Sequence, residues 1–286
     1  MKHRWMKIFL IPALFLMLAA AGCSPLRILN SSSREVSSAT VSEVSYGAEN
    51  RQQMDIYLPE QVRAGSPVVV FFYGGSWKRG QKENYAFVGH ALSSKGYVVA
   101  IPDYRLYPEV VFPTFVEDGA QAVTWLSKNI EQATNGVVVM GHSAGAHIAA
   151  LISLDQGYLE AQGQSISVVR GLIGLAGPYG FDPRKYRSTR PIFPETLPVE
   201  QAQPVNFACP SQAPILLLHG ADDSVVITEN SRVLSQRVSE CGGDVNYFEL
   251  DDIGHFAIVL GLADAFVGDE MIREPIERFL EALDQV

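Results

Sequence analysis

The chain of 286 residues reads as one α/β domain: a mostly parallel central sheet of about eight strands with helices on both faces. Three observations predict it. Continuous apolar runs, such as Pro-Val-Val-Val-Phe-Phe-Tyr at 67–73, recur along the chain and suit strands covered on both sides. Helical patterns separate these runs, and that alternation implies parallel strands joined by crossover helices. No internal repeat marks a second domain, and an apolar fraction of 47% is enough for one large core.

In chain order, residues 1–22 fall outside that domain. Lys2, Arg4 and Lys7 precede an apolar stretch at 8–21 that is short and interrupted by Pro12, the pattern of an export signal rather than a membrane span. Its ending, Ala-Ala-Gly-Cys, resembles the lipobox of bacterial lipoproteins, with Ala20 where leucine is usual. That resemblance implies a lipidated Cys23 as the mature N-terminus; the alternative is ordinary cleavage nearby and an unmodified cysteine. The expected location is the bacterial cell envelope, on the periplasmic side, with a lipid on Cys23 as the membrane anchor. Residues 23–40 are serine-rich and expected to be a flexible tether.

The domain then occupies 41–286. Segments 41–46 and 53–58 alternate polar and apolar residues and predict an antiparallel strand pair. Runs at 67–73, 97–102, 137–140, 171–176, 215–218 and 245–250 supply the buried strands. Helices are expected at 83–95, 114–130, 144–154, 229–240 and 263–283. Residues 180–212 break the rhythm with six prolines and no clear period. They are expected to form a small cap over the C-terminal sheet edge, where open α/β sheets bind ligands.

Charge and cysteines narrow the function classes. The formal charge is −9, and −12 once the three leader cations are removed. Nucleic-acid binding is excluded on that ground, because it rests on Lys and Arg displacing counterions from phosphate. No Cys/His spacing suggests a metal, and no cofactor is expected. Cys209 and Cys241 each precede a predicted strand. If those strands are parallel neighbours, both thiols share one sheet edge, and an oxidising compartment favours a disulfide; two buried free thiols are the alternative.

The chemistry is carried by Gly-His-Ser-Ala-Gly at 141–145, between a strand run and a small-residue helix. A G-x-S-x-G motif in that context is a nucleophile elbow, which presents the Ser143 hydroxyl at a sharp strand-to-helix turn. A serine needs a base within hydrogen-bond reach and a carboxylate to orient that base. After such an elbow the chain order is serine, acid, histidine. Asp222 and Asp223 both follow a strand at the correct sheet edge. His255 follows the last strand and Gly254, which is expected to permit a tight approach. His142 is expected to pack beside the nucleophile and His219 to support the acid loop; His90 falls in a helix pattern, His147 lies one turn into the helix after the elbow, and His3 lies in the leader. Oxyanion donors are expected from the Ala144 N–H and from Gly75 and Ser76 after the third strand, with Gly74 giving turn freedom.

Three segments together carry a family resemblance. Tyr73-Gly74-Gly75-Ser76-Trp77 resembles the His-Gly-Gly-x-Trp signature of the carboxylesterase and kynurenine-formamidase-like branch of the α/β-hydrolase superfamily. The segment at 103–109 is similar to the Asp-Tyr-Arg-Leu stretch found there, and 141–147 to the formamidase-like elbow. The likeness runs from Asp55 to His255 and implies the α/β-hydrolase fold. The family spacing His-Gly-x-x-Asp-x-x-Val implies Asp223 as the acid. Tyr73 departs from the usual histidine and alters a polar support under the oxyanion loop. Asp103 and Arg105 are expected to form an internal ion pair. The resemblance implies a serine esterase on small esters; an arylformamidase-like amidase and a non-catalytic envelope binding lipoprotein are the alternatives.

Overall fold

The computed structural model describes residues 29–31, 33–34, 38–210, 213–263 and 270–284; Cys23 lies outside them. Among the described residues one sheet contains β1 (Thr40–Ser45), β2 (Gln53–Leu58), β3 (Val68–Phe72), β4 (Val99–Pro102), β5 (Val137–His142), β6 (Val169–Leu175), β7 (Ile215–Gly220) and β8 (Val245–Leu250). Their order is β1-β2-β4-β3-β5-β6-β7-β8. The pairs β1–β2 and β2–β4 are antiparallel and all others parallel. β3 and β5 are wholly buried, as their unbroken apolar sequences require, whereas edge strand β8 alternates in exposure.

Register assigns the faces. Phe72 is level with Gly141, and Gly141 with Gly174. Phe72 meets Ile148 and Ile152 around Gly119, which puts α2 (Thr114–Asn129) and α3 (Ala144–Leu154) on that side. Gly171 lies three residues from Gly174, so it faces the other way. There it sits beneath Phe279 and Leu283 of α7 (Glu270–Leu283), and α7 is tied to the end of α1 (Ala86–Ser93) by Lys95–Glu277 at 3.0 Å. After β3 the chain crosses to β4 and returns past β3 to β5. The winding therefore reverses between β3 and β5, and their C-terminal ends border the crevice where such sheets bind ligands.

Three elements depart from expectation. The helix expected at 83–95 is a 3₁₀ turn, Lys82–Tyr85, followed by α1. Lys82 is buried among Glu43, Asp55 and Glu83 at 2.6, 2.8 and 2.8 Å, which pins that turn separately. The last helix runs as Glu270–Leu283 after a single turn, α6 (Ala257–Leu260); residues 264–269 lie outside the described ones. Within the segment expected to be a flexible tether, residues 29 and 30 are docked. Leu29 is buried in the core, and Asn30 accepts a hydrogen bond from the Phe87 N–H (3.0 Å) while donating to the Glu83 carbonyl (2.7 Å).

Residues 180–207 form four short 3₁₀ turns, consistent with their prolines: Pro183–Lys185, Arg190–Ile192, Val199–Ala202 and Pro204–Phe207. Phe193, from this excursion, packs edge-on against Trp77 (5.0 Å) and stacks on Phe112 (5.3 Å). Cys209 and Cys241 are bridged, with Cα atoms 5.8 Å apart, ahead of the paired strands β7 and β8. Closing that loop of 32 residues stabilises the fold by roughly 3–4 kcal/mol in the chain-entropy account.

Candidate active site

Ser143 joins β5 to α3 at φ 55° and ψ −121°. Its N–H donates to the Leu175 carbonyl of β6 (2.9 Å) and its carbonyl accepts from the His147 N–H (3.1 Å). The turn is held by crowding that only glycine survives. A Cβ on Gly141 would lie 2.3 Å from the Gly145 oxygen, and one on Gly145 would lie 2.0 Å from the Phe72 oxygen. The strained backbone throws the hydroxyl off the sheet edge and starts a helix at the next residue, Ala144.

The structure brings three of the residues singled out above into one hydrogen-bonded line. His255 Nε2 is 2.9 Å from Ser143 Oγ, and His255 Nδ1 is 2.7 Å from Asp223 Oδ2. All three side chains are buried. Asp223 Oδ1 accepts from the Val225 and Val226 N–H groups at 2.8 Å each. Burial pushes the Asp223 carboxyl up, but hydrogen bonds from His219, His255, Val226 and Val225 outweigh it and hold the carboxyl well below its usual range. Asp223 therefore stays ionised at neutral pH and favours the His255 tautomer that donates from Nδ1 and turns the Nε2 lone pair towards the serine. Asp222 is exposed and meets the histidine loop through its backbone N–H to Ile253 (3.0 Å).

His219 and His142 hold the places expected of them, under the acid loop and beside the nucleophile. His219 Nε2 donates to the Val226 carbonyl (2.8 Å) and lies 3.3 Å from Asp223 Oδ2, while its Nδ1 meets Ser231 Oγ at 2.7 Å. His142 Nε2 donates to the His255 carbonyl at 2.9 Å, with the two rings 4.8 Å apart. Burial, then the neighbouring His255, pushes His142 down to about 3. It is neutral and adds no charge against an imidazolium on His255. The close approach expected at Gly254 is found instead at Gly220, where a Cβ would lie 2.0 Å from the Ile253 oxygen; Gly254 has ordinary clearance.

Ser76, Trp77, Ser143 and Ala144 line a cavity of about 420 Å³ under the 180–207 excursion. Gly75 sits in the turn behind it at φ 136°, its carbonyl accepting from the Lys78 and Arg79 N–H groups (3.1 and 3.3 Å). Gly74 supplies clearance rather than turn freedom: a Cβ there would come within 3.0 Å of the Ser143 Cβ. The rest of the wall includes Phe181, Val205, Val226, Asn230 and Val233. Among the described lining residues, Glu229 is the one charged side chain, and it pairs with Arg232 at 2.8 Å.

The ion pair expected between Asp103 and Arg105 does not form. Arg105 instead reaches α2, where Asp118 takes two of its nitrogens at 2.7 and 3.0 Å. Asp103 accepts from the Tyr73 hydroxyl (2.5 Å), the Lys82 N–H (2.9 Å) and Arg51 (3.3 Å). Each finds its partner in a different part of the chain, Asp103 in Arg51 and Arg105 in Asp118. Tyr73 thus replaces the usual histidine with a phenol that keeps a polar support beneath the loop. Arg51 was legible from no motif; it is a lone cation in the turn between β1 and β2.

The family model BD-FAE matches residues 54–238. Isoprenylcysteine alpha-carbonyl methylesterase ICME of Arabidopsis thaliana is 30% identical over 84% of this chain, which spans 61% of that protein's length. Kynurenine formamidase of Danio rerio is 24% identical over 79% of this chain and 78% of its own. Among solved structures, a truncated carbohydrate esterase from gut microbiota shares the fold, with TM-score 0.70 and 19% identity over 87% of this chain and 97% of that one.

Proposed function

The chain belongs to the BD-FAE family of α/β hydrolases, and from that premise we propose that it is a serine carboxylic-ester hydrolase acting on small, uncharged esters. The observation that carries the proposal is the unbroken line Asp223–His255–Ser143 opening into a cavity with no cation among its described lining residues. Ser143 Oγ bonds to the ester carbonyl carbon as its proton passes to His255 Nε2, and Asp223 stabilises the imidazolium. The oxyanion receives the Ala144 N–H and the N–H groups of the Gly75–Ser76 turn, with Ser76 at the cavity wall. His255 returns the proton to the departing alcohol, and water repeats the sequence on the acyl-enzyme.

An amidase of the formamidase type is the competing reading, favoured by the likeness to kynurenine formamidase. The cavity wall argues against it for N-formylkynurenine: Glu229 could pair with its ammonium, but its carboxylate finds no cation among the described lining residues. Leaving a charged group without a partner costs at least about 1–3 kcal/mol. Initial rates should therefore favour p-nitrophenyl butyrate over N-formylkynurenine by about 5- to 150-fold in kcat/KM. Equal or faster turnover of the formamide moves the reading to an amidase.

The enzyme is further proposed to work in the cell envelope, held by a lipid on Cys23. The Cys209–Cys241 bridge supports an oxidising location. Expression with a radiolabelled fatty acid should label the wild-type chain and leave Cys23→Ser unlabelled; an unlabelled wild type overturns the anchor.

A further inference from the structure

We infer that Arg51 is a positioning residue for the oxyanion hole, fastening both ends of the loop that carries the donors; this rests on the esterase reading above. Three consecutive residues of that loop have positive φ: Gly75 at 136°, Ser76 at 55° and Trp77 at 57°. Such strain on non-glycine residues persists only where the surroundings over-determine the backbone. From above, the Trp77 ring is walled by Phe181, Phe193 and His147. The Tyr107 N–H holds the Trp77 carbonyl (2.8 Å), and from below one guanidinium ties the two ends of the loop to each other.

Arg51 reaches the loop from the turn between β1 and β2, far away in sequence. One terminal nitrogen donates to the Tyr73 hydroxyl (2.8 Å) where the loop begins and to the Gly80 carbonyl (2.9 Å) where it ends. Nε donates to the Tyr104 carbonyl (2.8 Å), and the Tyr104 hydroxyl donates to the Tyr73 carbonyl (2.7 Å). The Tyr73 ring stacks on Tyr104 at 4.8 Å and lies against Gly80. Arg51 is also the cation facing Asp103, which the Tyr73 phenol and the Lys82 N–H address as well. Removing Arg51 takes one tie from each loop end and leaves the buried Asp103 carboxylate without its counter-ion. The first atoms free to move are those of 74–79, including the Ser76 backbone. A displacement of about 1 Å at such a site costs up to about 100-fold in rate.

The role predicts a particular kinetic signature. Substrate binding uses the cavity wall, which Arg51 does not touch, whereas the oxyanion exists only once the carbonyl has been attacked. Arg51→Met should lower kcat on p-nitrophenyl butyrate by about 10- to 100-fold with KM within twofold. Affinity for an alkyl trifluoromethyl ketone, which forms a tetrahedral oxyanion on Ser143, should fall by the same factor as kcat/KM. Arg51→Lys, which supplies a cation but cannot span all four acceptors, should recover part of the loss. Tyr73→Phe removes one oxygen of the same fastening; it should act in the same direction, and its effect should be largely absorbed in the double variant.

Wild-type turnover and ketone binding are measured first, so failure of the esterase reading shows in the parent protein and not in the variant. Folding is checked by melting temperature. If Arg51→Met does not fold, Tyr73→Phe decides alone. A folded variant with kcat unchanged overturns the role. So does a fall in kcat with undiminished ketone affinity, because the donors would then not be what moved.

Discussion

Ser143→Ala should abolish hydrolysis of p-nitrophenyl butyrate, with kcat falling by about 10⁶-fold, the loss seen when a triad nucleophile is removed. The variant should still fold. Alanine retains the Cβ that already fits at φ 55°, and the elbow is held by the crowding of Gly141 and Gly145 and by backbone bonds to Leu175 and His147. Only the hydroxyl facing His255 Nε2 is lost. A melting temperature within about 2 °C of the parent, reflecting a change below roughly 1 kcal/mol, would separate loss of the nucleophile from loss of fold. A fluorophosphonate probe should label the parent at Ser143 and leave the variant unlabelled. Unlabelled parent protein with no ester turnover would favour the non-catalytic binding lipoprotein. Turnover retained in Ser143→Ala would place the chemistry elsewhere.

Asp223→Asn should lower kcat by about 10⁴-fold, the cost of holding a triad histidine in the wrong tautomer. The asparagine carbonyl can take the place of Oδ1 and keep the Val225 and Val226 N–H bonds. Its NH₂ group then faces His255 Nδ1, where a carboxylate oxygen stood. The imidazole answers by accepting at Nδ1 and carrying its proton on Nε2, so it cannot take the Ser143 proton. His219 Nε2–H, 3.3 Å from the same oxygen, sharpens the conflict by placing a second donor there. Asp222→Asn should change kcat by less than about twofold, as an exposed side chain outside the hydrogen-bonded line. The comparison is decisive: a large loss at Asp222 with activity intact at Asp223 would reverse the assignment.

The site was legible in the sequence wherever function imposes a local pattern. Ser143 announces itself because the elbow needs two glycines at fixed offsets between a strand and a helix. His255 stands after the last strand in the required order. Asp222 and Asp223 were indistinguishable by residue type and setting, and only a family spacing favoured the second. The structure separates them by direction: Asp223 points inward onto two backbone N–H groups and two imidazoles, and Asp222 points to solvent. Gly254 was credited with the close approach that belongs to Gly220, because a loop sequence does not say which of two facing backbones is crowded.

Fold class and strand succession, together with the presence of an elbow, were determined by the sequence itself, because hydrophobic period and turn chemistry act between near neighbours along the chain. The partners of Arg51, Asp103, Arg105, His142 and His219 and the docking of Leu29 were decided only by the tertiary structure. The physical reason is that each depends on which strands lie side by side and which face a residue presents. Arg51 meets Tyr73 and Asp103 across separations of 22 and 52 residues. Those contacts exist because β2 pairs with β4, and β4 with β3, an adjacency that no local pattern in the chain encodes.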